Sequence, residues 1–477
     1  MIVKTKAKKR KAKKAAQVDL VKSNNFFVKN KDLIKRIAFT LIVLVVIRLG
    51  SYLTVPGVTV SPNIQDLSNT DQFFSLISML GGGTLGKFSI LALGVSPYIT
   101  ASIIVQLLST DVIQPLSRWA KGGEKGRKKL DRLTKWLTIP FAIMQGVATI
   151  FTMANQGIIS PKWLTNDFGT GSPIFYYILV PCALIAGTMF MLWIADQITI
   201  RGIGNGVSII IFAGIVAKLP SNLETTFKFW ISGQEDINLL FDGILKFLVY
   251  VVMFLLVILF VVMLNESERK LPIQQTGSGL SSGGEQNKPF LPLKINSAGV
   301  IPVIFASALI SAPITVSQII SVSNPNNGFV QFTNNYLSFS TWPGIIIYAI
   351  LTILFTFLYS QVQMNPEKIA ENFQKAGTFI PSVRPGKETE KYIKGTINRL
   401  SILGSIFLAA IAILPYVISK LTSLPSALAI GGTGLIIMVS VALETMRQIK
   451  GRITQQAFID KKSQSLNQDS NDNSYLW

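Results

Sequence analysis

The sequence predicts an all-α integral membrane fold of ten transmembrane helices, and three observations predict it. Of 477 residues, 49% are hydrophobic and only 14% charged, against about a quarter charged in soluble domains. Ten apolar stretches approach the roughly 20 residues that cross about 30 Å of hydrocarbon as a helix. The Lys and Arg residues gather in alternate connections, as they do on the retained side of polytopic proteins.

The chain opens with a polar tail, 1–36, whose basic run spans Lys4 to Lys14. A cleaved signal would need an apolar stretch directly after a short basic start, so none is expected. The spans centre on 37–54, 88–108, 136–155, 174–195 and 203–219, then on 244–264, 298–320, 344–363, 400–420 and 427–447. The remaining basic charge clusters at Arg118 to Lys135, Lys368 to Arg399 and Arg447 to Lys462. This placement expects both termini in the cytoplasm of a multi-pass protein.

Ten spans with both ends on one side divide into two halves of five. An odd number per half inverts one half relative to the other, the geometry of many transport proteins. The halves are 37–220 and 244–450, joined by an external connection at 221–243. The second half carries cytoplasmic loops at 265–297 and 364–399. The stretch 451–477 is a polar tail whose end, from Lys461, is expected to be disordered.

Some segments depart from a plain span. Gln72 to Leu80, followed by the glycines 81–83, is too short to cross and too glycine-rich for a continuous helix. A re-entrant element and an ordinary outer loop both fit it. Pro97 lies inside the second span, and Pro302 and Pro313 inside the seventh, where prolines favour kinks. Val95 and Ile99, and Ile211 and Ile215, repeat at i,i+4 on one helical face; taken alone, packing or lipid contact accounts for them. Arg48 lies within span one, where a mid-membrane charge costs at least about 2.5 kcal/mol, so it is expected at a cavity, partner or interface.

Several classes of chemistry are excluded by inspection. With no histidine, a His-based metal site, a Ser-His-Asp triad and a histidine proton relay are absent. The single Cys182 permits no internal disulfide and is expected to be a small buried hydrophobe. Neither Gly122–Lys129 nor Gly202–Gly206 has the spacing of a phosphate-binding loop. No catalytic residue, metal or cofactor is expected.

Five motifs in order carry a resemblance: Leu91–Leu107 with Gly94-Val-Ser-Pro-Tyr98, Gly123-Glu-Lys-Gly-Arg-Lys128, Asp196–Ile215, Pro292–Pro302 and Gly377–Gly386. Together they resemble the SecY family of protein-conducting channels from about residue 33 to 458. The resemblance implies an hourglass-shaped central pore between the two halves, conducting unfolded secretory chains across the bacterial plasma membrane. It also implies a sideways exit for membrane helices between spans two and seven.

By motif position the family's pore ring falls on Val95, Ile99, Ile211, Ile215, Ile304 and Ile437. Its plug falls on Phe73, Phe74, Leu76, Ile77, Leu80, Gly81, Gly82 and Gly83, within 72–86. Its docking loops carry Arg269, Lys270, Arg384 and Lys387. The implied partners are small SecE-like and SecG-like membrane subunits, the SecA ATPase, the translating ribosome with its rRNA, signal peptides and nascent chains, and membrane lipid. The loop 275–288 is less basic than the family's usual stretch. The main alternative is an inverted-repeat secondary transporter of a small solute, which the span count permits and the lack of a mid-membrane acidic pair disfavours. An insertase or scaffold without a pore is a further alternative.

Overall fold

The structure, a computed structural model, describes residues 31–56, 58–60, 88–109, 113–155, 159–161, 173–231, 237–275, 290–422 and 432–472. The helices are α1 (Lys31–Gly50), α2 (Ser96–Ser109), α3 (Gln114–Lys121), α4 (Gly123–Asn155), α5 (Pro173–Arg201), α6 (Gly206–Ile231), α7 (Ile237–Glu266), α8 (Ile301–Ser323), α9 (Gly328–Phe332), α10 (Trp342–Gln363), α11 (Pro366–Lys375), α12 (Lys387–Thr422) and α13 (Gly432–Asp472). The strands are β1 (Val58–Val60), β2 (Ile159–Pro161), β3 (Glu268–Pro272), β4 (Gln274–Gln275), β5 (Phe290–Lys294) and β6 (Thr378–Phe379). All are paired antiparallel: β1 with β2, β3 with β5, and β4 with β6.

Each of the ten expected spans overlaps a helix: α1, α2, α4, α5, α6, α7, α8, α10, α12 and α13, α2 with only 14 residues. By length and composition six of the described helices are long and apolar enough to cross a membrane, or seven if α2 and α3, bent by 100°, count as one broken span. The other three carry polar residues into their spans, as α1 does with Lys35, Arg36 and Arg48.

Hydrocarbon offers backbone groups no partners, so each span must satisfy its own. Hydroxyls follow the same rule: Thr138, Thr149, Thr352 and Thr356 each donate to the carbonyl four residues earlier in their helix.

One large apolar cluster runs through the molecule, drawing buried residues from α2, α5, α6, α7, α8, α10, α12 and α13. A smaller one sets Val55, Phe88 and Leu93 against Ile150 and Met153 of α4 and Val180 and Leu184 of α5. A third lies outside the helical bundle, under the strands. The apolar surface of α7, with Phe241, Leu248, Leu255, Leu259 and Phe260, is exposed, as a lipid-facing helix requires.

Several expectations are corrected. The second span is helical only from Ser96, and residues 88–95 are a chain of turns. Pro97 therefore opens its helix, and Pro302 stands at the first positions of α8, where a missing N–H costs nothing; Pro313 is interior. The connection expected at 221–243 is helical to Ile231 and again from Ile237. The end of the chain, expected to be disordered, continues α13 to Asp472, since adding residues to a nucleated helix costs little. Cys182 is exposed; on a helix facing lipid, a thiol meets hydrocarbon there as it would in a core. Arg48, expected at a cavity, partner or interface, lies in the last turn of α1, at the end of the span and in keeping with the last of these.

The Gly202–Gly206 motif makes the tight turn between α5 and α6. Asn205 Oδ1 accepts from the Val207 and Ser208 amides and Thr199 Oγ1 from the Gly206 amide. A Cβ at Gly206 would stand 1.9 Å from the Ala195 carbonyl oxygen. We predict that Gly206→Ala pushes α5 and α6 apart and costs about 1–3 kcal/mol; a lower midpoint of heat-induced aggregation in detergent checks this.

Candidate functional site

The candidate constriction starts from residues 88–95. This irregular backbone is held by turn bonds, among them Val55 N to Phe88 O at 3.1 Å, Ile90 N to Leu53 O at 2.9 Å and Gly94 N to Leu91 O at 2.9 Å. Phe88, Leu91, Ala92, Leu93 and Val95 are all buried. Val95 thereby sits at the head of α2, its carbonyl accepting from the Ile99 amide at 3.1 Å.

The six residues assigned to the ring by resemblance come from four places: Val95 and Ile99 from the start of α2, Ile211 and Ile215 from α6, Ile304 from the first turn of α8, and Ile437 from α13. Five are at most 7% exposed, and Ile304 is half-buried. All belong to, or pack against, the same apolar cluster. Chemically the group is branched hydrocarbon with no hydrogen-bonding capacity. The eight residues assigned to the plug, Phe73 to Gly83, lie outside the described residues.

Beside this apolar region stands an ion cluster that the sequence did not announce. Lys135 of α4 reaches Asp196 of α5 at 2.7 Å and Asp131, one turn earlier, at 3.0 Å. Tyr98 of α2 donates to Asp131 at 3.5 Å. Partial burial opposes the charge on Lys135, but its hydrogen bonds to Asp196 and Asp131 outweigh that and raise its pKa above the usual lysine value. The only advance signal was the i,i+4 spacing of Asp131 and Lys135; Asp196 is distant in sequence.

The residues assigned to docking lie on a small β module. β3 pairs with β5 from Glu268 opposite Lys294 to Pro272 opposite Phe290, and β4 pairs Gln274 and Gln275 with Phe379 and Thr378 of the other loop. The described parts of these two loops, 265–275 with 290–297 and 364–399, therefore form one body, over a core of Leu271, Leu293, Ile380, Ile393 and Ile397. Period-two burial in Leu271 and Ile273, and in Leu291 and Leu293, was the legible strand signal.

Arg269, Lys270, Arg384 and Lys387 are all exposed on this body. Lys270 lies 4.9 Å from the Phe290 ring centroid and 3.8 Å from Glu268. Lys294 has its pKa lowered by burial and then by the neighbouring Arg447, with Glu444 and Glu268 acting in the opposite direction. Among the described residues no group of acids and Cys is arranged to hold a metal ion.

Residues 89–446 match the SecY family. The chain is 64% identical over 457 residues to the protein translocase subunit SecY of Mycoplasma capricolum subsp. capricolum, covering 95% of this chain and 94% of that protein. It is 40% identical to the corresponding subunit of Staphylococcus aureus (strain NCTC 8325 / PS 47), over 91% and 97% of the two chains. Among solved structures it resembles a protein-conducting channel at 20% identity and TM-score 0.61, over 89% of this chain and 93% of that one. It also resembles Sec61 in a canine ribosome–channel complex from the endoplasmic reticulum, at 19% identity and TM-score 0.59 over the same shares. These structural likenesses fix the fold.

We predict that Ile393→Ala, at a fully buried position of the β module, costs about 2–5 kcal/mol locally. Faster limited proteolysis within 265–297 and 364–399, with the helical bundle still resistant, would be the sign of it.

Proposed function

The chain belongs to the SecY family, and we propose that it is the central subunit of a bacterial protein-export channel, passing unfolded polypeptide through a constriction made by Val95, Ile99, Ile211, Ile215, Ile304 and Ile437. The observation that carries this reading is the 64% identity to a protein translocase subunit SecY over 95% of the chain; the six branched side chains, from four separate segments, all belong to or pack against the large apolar cluster, which is compatible with it. Such side chains can close around an extended chain of any sequence, because they demand no hydrogen bond from it. A constriction without polar groups also resists ions by dewetting.

The same reading places a lateral exit between α2 and α8, through which an apolar segment trades the channel for lipid. Residues 72–86 act as the plug on the outer side of the constriction. The chain has no nucleotide-binding loop, so energy enters from outside, through a SecA-type ATPase or a translating ribosome seated on the β module. Arg269, Lys270, Arg384 and Lys387 supply positive charge there for rRNA phosphate or an acidic protein face. SecE-like and SecG-like subunits accompany the channel. The concentration of Lys and Arg on one side supports both termini, and the β module, being cytoplasmic in a plasma membrane. The protein is a conduit and not an enzyme. The solute-transporter alternative finds no support in the relatives.

Reconstitution tests the function. Vesicles holding this chain with a SecE-type subunit and a SecA-type ATPase should import a signal-bearing precursor in an ATP-dependent manner, and no import would refute the proposal. Ile99→Ser or Ile211→Ser should raise resting ion conductance severalfold and admit precursors with weakened signals; unchanged conductance would remove those residues from the constriction. The double reversal Arg269→Glu with Arg384→Glu should lower driver affinity about fivefold or more at low salt, with the gap to the unaltered protein closing as salt screens the charges. Binding titrations at two ionic strengths measure it.

A further inference from the structure

β5 ends at Lys294 and α8 begins at Ile301, so residues 295–300 join the β module directly to the helix that carries Ile304. This elbow is unusually well bound for a connection. On one side Asn296 Nδ2 donates to Asn265 Oδ1 of α7 at 3.3 Å. Asn265 in turn donates to Ser440 Oγ of α13 at 3.1 Å, and its backbone carbonyl accepts from Arg447 Nη2 at 2.6 Å. On the other side the Ser297 hydroxyl bonds that of Ser360 in α10 at 2.7 Å, and the Ser360 hydroxyl bonds that of Ser401 in α12.

The backbone is held as well. The Ile295 amide donates to the Ser267 carbonyl at 3.1 Å. A Cβ at Gly404 of α12 would come within 2.7 Å of the Ile295 carbonyl oxygen, so only glycine lets that helix approach the elbow so closely. Asn265, Asn296, Ser360 and Ser401 are all buried.

Two helices, α7 and α10, thus bond the consecutive side chains of Asn296 and Ser297 directly, and α13 and α12 brace those partners through Ser440 and Ser401. α8 starts immediately beyond, with the Ile304 amide donating to the Val300 carbonyl. A shift of the elbow therefore moves the first turn of α8 and Ile304 with it. Asn296 Oδ1 is buried without a protein hydrogen-bond partner among the described residues.

We infer that Asn265, Asn296, Ser297, Ser360 and Ser401 are positioning residues for the gate, a polar clamp that fixes the start of α8 and passes force from the docked β module to Ile304. This rests on the channel reading above. The clamp touches neither the driver nor the translocating chain, so it should set how often a bound driver opens the channel and not how tightly the driver binds.

The test compares Ser297→Ala, Ser360→Ala, Ser401→Ala and the double Ser360→Ala/Ser401→Ala with the unaltered chain, each with its SecE-type subunit in vesicles. Driver affinity and precursor import at saturating SecA-type ATPase are read separately. Each single change should leave affinity within twofold and alter saturating import by about three- to tenfold, the scale of one buried hydrogen bond. The double should be no worse than the stronger single, since both break one chain of hydroxyls. Ser360→Thr, which keeps the hydroxyl, should recover most of the rate.

Unchanged saturating import in the alanine variants would overturn the clamp. So would a fall in affinity that matches the fall in import, together with a lower melting point, which is the signature of a merely structural role. An unaltered chain that imports nothing would overturn the channel reading itself, an outcome separable from both.

Discussion

Everything in this molecule depends on the requirement that backbone polar groups in hydrocarbon find partners within the protein. Helices meet it trivially, and most of the chain takes that solution. The informative place is where the chain does not. Residues 88–95 run as successive turns, and they are tolerated because they are buried against α4 and α5 and bonded to residues 53 and 55. That shelter lets α2 begin at Ser96 inside the protein, with Val95 and Ile99 projecting from its first turn.

Charge obeys the same constraint in a different form. Lys135, just before the third span, has two carboxylates at hand, Asp131 and Asp196, drawn from two helices. All three side chains remain a third to a half exposed, so they hold helices in register more than they add stability. The exposed cations of the β module sit instead on a body of their own, with an apolar core of its own. That core makes the two loops move together, which separate solvated loops would not do.

The legibility of the sequence follows these physical lines. Span existence was readable because it depends on a running sum over about twenty residues, and the ten stretches each met a helix. Helix starts were less readable, because a proline at the head of a helix and one in its middle look alike without the third dimension; Pro97 and Pro302 are the first kind and Pro313 the second. The β module left a period-two trace in Leu271, Ile273, Leu291 and Leu293, but its pairing across some hundred residues, Gln274 with Phe379, is a tertiary fact. The assignment of the branched residues to one ring was not in their spacing at all. The i,i+4 repeat of Val95 and Ile99 is equally good packing, and only family resemblance singled it out.

The distribution of directional and non-directional contacts carries the last step. Around the proposed constriction the contacts are hydrocarbon on hydrocarbon, which can be exchanged for contacts with another chain at little net cost because no orphaned polar group is left behind. At the joint between β5 and α8 the contacts are hydrogen bonds from Asn265, Asn296, Ser360 and Ser401, whose loss in a buried site costs about 1–3 kcal/mol each. A passage that must yield to any sequence and a joint that must keep its geometry under load call for opposite kinds of interaction. The molecule separates the two by a single helical turn, from Val300 to Ile304, so that the first turn of α8 belongs to both.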